Sequence, residues 1–161
     1  MIMIHEVHIY TDGAAKGNPG PGGYGVVMEK VGSPYRKEFY EGFRKTTNNR
    51  MELLAVIVGL EKLKNPGTAV LVVSDSKYVV DSVVKGWVFG WEKKGFAGKK
   101  NPDLWKRFLK VYRQHKVEFK WIKGHNNHPQ NERCDQLAVM ASQQPVLNVD
   151  AFYEAEGEKL L

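Results

Sequence analysis

Along this chain the spacing of apolar residues changes period several times, and each change marks an element. Residues 6–11, "EVHIYT", alternate apolar and polar side chains and are rich in β-branched types, which predicts a strand. The same two-residue period runs through "YGVVMEKV" and "YRKEFYEGF" on either side of the turn-forming Gly32-Ser33-Pro34, so residues 24–43 are expected to form an antiparallel hairpin. From Asn48 the period becomes helical, with Met51, Leu54, Ala55, Val58 and Leu63 on helical spacings. Thr47 or Asn48 can cap that helix and Asn65-Pro66-Gly67 can end it. "AVLVVSD", residues 69–75, is apolar until its last two positions, as expected of a strand covered on both faces.

"SKYVVDSVVKGW" predicts a helix beginning at Ser76, and "DLWKRFLKVYRQH" another over 103–115 capped by Asp103. "KVEFKWI", residues 116–122, alternates as a strand. After the polar loop "GHNNHPQN", "ERCDQLAVMASQQ" predicts a last helix that Pro145 terminates. The order β-β-β-α-β-α-α-β-α implies an α/β domain over residues 1–143, a mixed sheet flanked by helices. Residues 144–161 read as an acidic tail with Asp150, Glu154, Glu156 and Glu158, and the pattern gives them no place.

Composition narrows the setting. At 161 residues the chain can bury one sizeable core, and 42% hydrophobic with 26% charged residues excludes a largely disordered polymer. No apolar run approaches the ~20 residues that span a bilayer, and no secretory leader is evident. Cys134 is the only cysteine, so no intramolecular disulfide can form; a cytoplasmic monomer is the expectation. The net charge of +6 is regional. Between Lys85 and Lys116 ten basic residues stand against Glu92 and Asp103, which makes that stretch +8 and the remainder −2, and points to a polyanionic partner.

The chemistry begins at "TDGAAKGNPGPGGYG", residues 11–25. Gly20, Gly22 and Gly25 match the dinucleotide fingerprint letter for letter, but a strand follows where that motif needs a helix N-terminus for the pyrophosphate. The glycines are therefore expected to let the backbone turn tightly and approach a large ligand beside Asp12. Asp12 and Asp75 are placed at strand ends, Glu52 in the first turns of a helix among apolar neighbours, and Asp135 in the first turn of the last helix. Singly these acids read as turn residues or helix-dipole partners. Gathered at one sheet edge they would form an oxygen-rich site for a hard cation, Mg²⁺ above all. His125, His128 and Cys134 match no zinc spacing, and His128 is expected to be a solvated loop side chain.

Five motifs in order, "TDGAAKGNPGPGGYG", "TTNNRMELLAVIVGL", "SDSKYV", "WVFGWEKKGF" and "GHNNHPQNERCDQLA", resemble the type 1 ribonuclease H family over about residues 6–142. The resemblance implies the ribonuclease H fold, a five-stranded mixed sheet with three antiparallel strands first. It implies hydrolysis of the RNA strand of an RNA–DNA hybrid, leaving 5′-phosphate and 3′-hydroxyl ends, with two Mg²⁺ ions bound alongside substrate and Mn²⁺ as a substitute. Asp12, Glu52, Asp75 and Asp135 match the family's metal-binding acids and His125 its loop histidine for proton transfer or product release. Thr47 matches a residue holding a DNA phosphate; Asn18, Asn48 and Asn49 match groove residues, with Gly13 beside them.

Three departures touch the substrate. Lys77 stands where many relatives have glutamine, Gly90 precedes Trp91 where asparagine is frequent, and the basic stretch between Trp91 and Trp105 is several residues short. Lys93, Lys94, Lys99 and Lys100 are expected on phosphates. Trp87 and Trp91 are expected to pack within that protrusion, with one exposed edge able to meet a sugar. A binding module without catalysis would not retain four acids facing phosphate, and a transposase or junction resolvase would not be expected to show "TTNNRMEL" with the basic tryptophan stretch.

Overall fold

The computed structural model describes residues 4–124 and 126–159, the side chains of 157–159 excepted. Its strands are β1 (Val7–Ala15), β2 (Gly20–Lys30), β3 (Arg36–Thr46), β4 (Ala69–Ser74) and β5 (Lys116–Trp121). Its helices are α1 (Asn48–Glu61), α2 (Lys77–Val84), α3 (Trp87–Lys93), α4 (Pro102–Tyr112), α5 (Pro129–Ser142) and α6 (Ala151–Lys159). The strands lie in the order β3-β2-β1-β4-β5, antiparallel through the first three and parallel from β1 to β4 to β5. This is the mixed five-stranded sheet that the sequence predicts.

Alternation along β1 sorts the core into two layers. Ile9 points into the larger cluster with Met51, Leu53 and Ile57 of α1 and Trp105 and Phe108 of α4. Its neighbour Tyr10 points the other way, to Val27, Val73 and the α5 residues Cys134 and Leu137. Because α1 lies between the sheet and α4, it is buried from Arg50 to Leu60 on every side, which is why its apolar residues outnumber a single stripe.

Register places the chemistry. The parallel ladder between β1 and β4 ends at the pair Thr11 and Ser74, so the next residues, Asp12 and Asp75, leave the ladder side by side. Asp12 is not at a strand end, contrary to the expectation, and Asp12-Gly13 is not a turn: β1 continues to Ala15, with Asp12 opposite Gly25 of β2. The glycines correct a second expectation. A Cβ at Gly25 or Gly42 would overlap the backbone of α5, and one at Gly23 would stand 2.6 Å from the Ala138 carbonyl oxygen. These glycines bring α5 down onto the sheet, so packing rather than ligand approach accounts for them.

Several helix boundaries also differ. The helix from Ser76 stops at Val84 because Gly86 takes φ 76°, and α3 starts afresh at Trp87. Asp103 does not cap α4, which begins at Pro102 after Asn101; it binds the Arg50 guanidinium instead, at 2.7 and 2.9 Å. His128 is no solvated loop residue: its Nδ1 accepts the Asn131 N–H at 3.2 Å to cap α5, and its ring meets Tyr10 at 5.5 Å. Helix α5 thus starts at Pro129, which puts Asp135 in its second turn, not its first.

The segment left unplaced by the sequence is docked. Asp150 is buried and accepts from Arg50 Nε at 2.7 Å, Arg50 Nη2 at 2.9 Å and Thr46 Oγ1 at 2.8 Å. Glu154 pairs with Arg44, and Asn148 bridges to β3 through its backbone. Burial alone would weaken the Arg50 charge, but hydrogen bonds to Asp103 and Asp150 raise its pKa overall. Asp150→Ala strips this buried guanidinium of one of its two carboxylate partners. Because Asp103 still pairs Arg50, we expect a loss of about 2–3 kcal/mol, the worth of hydrogen bonds to a charged group, read as a fall of roughly 4–12 °C in melting temperature for a chain of this size; a fall below about 2 °C would show that the triad is not a stabilising hub.

Candidate active site

Three carboxylates converge where the parallel ladder ends. Oxygens of Asp12, Glu52 and Asp75 all lie within 4.8 Å of one another. Asp12 comes from β1, Asp75 from the residue after β4, and Glu52 from the first turns of α1, whose start is fixed by Thr47 Oγ1 accepting the Arg50 N–H at 3.2 Å. Gly13 makes the approach possible, since a Cβ there would overlap the α1 backbone at Met51 and Glu52. Its N–H donates to Asp12 Oδ1 at 2.9 Å and also to Glu52 Oε1, tying the two acids to one amide.

The third acid is held from behind. Trp121 Nε1–H donates to the Asp75 carbonyl at 3.1 Å, Asn131 Nδ2 lies 3.5 Å from Asp75 Oδ2, and a Cβ at Gly124 would stand 2.7 Å from that same oxygen. Trp121, Gly124 and Asn131 were not singled out from sequence. Each sits inside or beside a motif, but only the fold shows that it faces Asp75. Asp135 lines the same open cavity of about 480 Å³, together with Gly13, Asn48, Asn49 and Lys77.

Like charges this close and this buried resist ionisation. Burial pushes Asp12 up to about 7; the hydrogen bond with Glu52 pulls it down, and the charges of Asp75 and Asp135 add to the rise. Glu52 is raised as well, by burial first and then by Asp12. Without cations the pair therefore retains a proton near neutrality. The donor set is all oxygen, short of counter-charge and open on one side, which fits a hard divalent cation that keeps waters for substrate to displace. Cys134 is fully buried, and burial pushes its thiol up, with Asp12 adding to the effect, as suits a packing residue.

The other predicted residues divide between two cavities. Asn48 and Asn49 line both, and the second, of about 650 Å³, also takes Asn18, Thr47, Lys99 and Lys100. Asn18 Oδ1 accepts the Asn48 N–H at 2.9 Å, tying the glycine-rich loop to the start of α1. Trp91 packs against Trp105 at 5.9 Å with the Lys99 ammonium over it at 5.2 Å, whereas Trp87 is 48% exposed and carries Lys85 at 5.3 Å. Lys77 rests over Trp121 at 4.4 Å, at the mouth of the acidic cavity. Lys93 and Lys94 are exposed and line neither cavity; His125 lies outside the described residues.

Fold and site together define the class, an α/β protein whose three converging carboxylates could hold a divalent cation. The RNase H family matches residues 5–143, so the chain belongs to the ribonuclease H family. A ribonuclease H of Desulforamulus reducens is 56% identical over 152 residues, covering 91% of this chain and 94% of the relative. A ribonuclease HI of Shewanella oneidensis is 48% identical over 162 residues, covering 98% and 100%. Among solved structures, LC9-RNase H1, a type 1 RNase H with the type 2 active-site motif, superposes with a TM-score of 0.74 at 31% identity, over 88% of this chain and 74% of that one. LC11-RNase H1, solved in complex with an RNA/DNA hybrid, gives 0.62 at 29% over 84% and 95%.

The raised Asp12 has a thermodynamic signature. Its folded value of about 7 lies above the ordinary carboxylate value of 3.8, so the cation-free folded state holds more protons than the unfolded chain between those limits. Stability is therefore full at the acid end of that window and is lost as pH rises through it. Melting in EDTA should show a decline from pH 5 to pH 8 that Asp12→Asn weakens without removing, because burial still raises Glu52, and millimolar Mg²⁺ should stabilise the wild type more at pH 8 than at pH 5. Equal Mg²⁺ stabilisation at both pH values would contradict the proton-for-cation exchange.

Proposed function

We propose that the protein hydrolyses the RNA strand of RNA–DNA hybrids with two divalent cations, Mg²⁺ with Mn²⁺ able to replace it, and leaves 5′-phosphate and 3′-hydroxyl ends. The observation that carries this reading is the three-carboxylate cluster opening into a cavity that runs on, through Asn48 and Asn49, into one lined by Lys99 and Lys100. Asp12, Glu52, Asp75 and Asp135 hold the cations. Bound there, such ions supply Lewis-acid stabilisation of charge at the scissile phosphate and activation of the attacking water.

The chain's own groups do the rest. Asp12 and Glu52 would give up their retained proton where such ions are held. The amides of Asn48 and Asn49 and the backbone at Gly13 face the scissile region, where hydrogen bonds to 2′-hydroxyls distinguish ribose from deoxyribose. Thr47 and Asn18 receive a phosphate of the DNA strand, beside Lys99 and Lys100. Lys77, a cation already at the cavity mouth, contacts the hybrid where many relatives place a neutral amide. His125 accepts or delivers a proton near neutrality, the range in which imidazole ordinarily titrates. The catalytic unit is residues 1–143, working as a monomer in the cytoplasm. Support comes from the lone cysteine, and no helix among the described residues is long and apolar enough to cross a membrane. The hybrid bound to LC11-RNase H1 supports the substrate class.

Asp12→Asn and Asp75→Asn should each abolish cleavage of a labelled hybrid in Mg²⁺ while the affinity for uncleaved hybrid stays within about threefold, because the acids act on the transition state. Equal cleavage of hybrid, RNA duplex and DNA duplex by the wild type would remove the substrate assignment. Replacing Lys93, Lys94, Lys99 and Lys100 together by Ala should raise KM and flatten its salt dependence with kcat nearly unchanged. An unaltered KM would take this region out of the binding track.

A further inference from the structure

The ion pairs that anchor α6 also aim it. Asp150 joins Arg50 at 2.7 Å and Glu154 joins Arg44 at 2.9 Å, so the helix lies along the cavity next to the carboxylates, and Phe152 and Tyr153 become part of its lining. The Arg50 guanidinium stands 5.6 Å from the Phe152 ring and 5.9 Å from the Tyr153 ring and backs both. Phe152 nevertheless remains 36% exposed, an aromatic surface open towards a cavity that also holds Thr47, Lys99 and Lys100.

This cavity and the carboxylate cavity share Asn48 and Asn49, so they form one trough. A duplex whose cut strand crosses the acids places its second backbone across the minor groove, in the neighbouring part of that trough. Lysines there complement phosphates. Aromatic faces complement the sugar between them, and they favour the sugar that lacks a 2′-hydroxyl, because a hydroxyl pressed on a ring loses water without gaining a partner.

We propose that Phe152 and Tyr153 of α6 form a deoxyribose-binding wall for the uncut strand, and that this wall contributes to the choice of DNA over RNA in that strand. The inference rests on the hybrid-cleaving function above. It gives residues 144–161 a part in substrate selection.

The test uses the full chain. The Phe152→Ala/Tyr153→Ala enzyme should show KM for hybrid raised at least about fivefold, as the loss of aromatic contacts to a nucleic acid strand implies, with kcat within about twofold. RNA duplex should also become a better competitor relative to hybrid. Since that enzyme can lose stability, the second measurement keeps the native helix: ring resonances of Phe152 and Tyr153 are followed in Asp12→Asn protein mixed with intact hybrid. Shifts there together with shifts at Thr47 and Asn49, and smaller ring shifts with RNA duplex, support the wall. Shifts at Thr47 and Asn49 without any at the two rings overturn it and leave the function standing, whereas no shift at any of them overturns both.

Discussion

The structure depends on keeping three carboxylates within 4.8 Å in a largely buried place, an arrangement that opposes itself electrostatically. Nothing local favours it. It persists because each acid is fixed by a different element whose position is set elsewhere: Asp12 by the β1–β2 ladder, Glu52 by the capped start of α1, Asp75 by the end of β4. The apolar layers on both faces of the sheet hold those elements, so the hydrophobic core supplies the free energy that the charges consume. The acidic pair answers by retaining a proton near neutrality.

A second charge cluster mixes the two signs and has the opposite role. Arg50, two residues from Glu52 on α1, is 3% exposed at its side chain and is satisfied by Asp103 of α4 and Asp150 just before α6. One helix end thus carries an acid without a cationic partner among the described residues towards the cavity, and a paired base towards the interior. The second contact fixes the pitch and depth of the helix that presents the first. It also draws the last described segment of the chain alongside the trough.

The sheet and the placements of Glu52 and Asp75 were legible in the sequence because their signals are local. "AVLVVSD" reads as a buried strand ended by an acid, and "TTNNRMEL" as a capped helix start, without knowledge of their partners. What depended on tertiary partners was not legible. Gly23 and Gly25 suggest a ligand only until α5 is seen lying against them. Asp103 looks like a cap, and is not one, because Arg50 lies 53 positions away in sequence. Helix α6 has no apolar stripe to announce it; two buried bonds from Asp150 to a distant arginine place it. Trp121, Gly124 and Asn131 serve the site by facing Asp75, a fact of geometry that no spacing encodes.

Anomalous scattering from crystals soaked in Mn²⁺ addresses the carboxylate nest directly. Density is expected among the side chains of Asp12, Glu52 and Asp75 in the wild type, and it should vanish from that position in Asp12→Asn crystals. Manganese bound elsewhere on the surface with none between these three residues, or density that survives the substitution unchanged, would contradict the account.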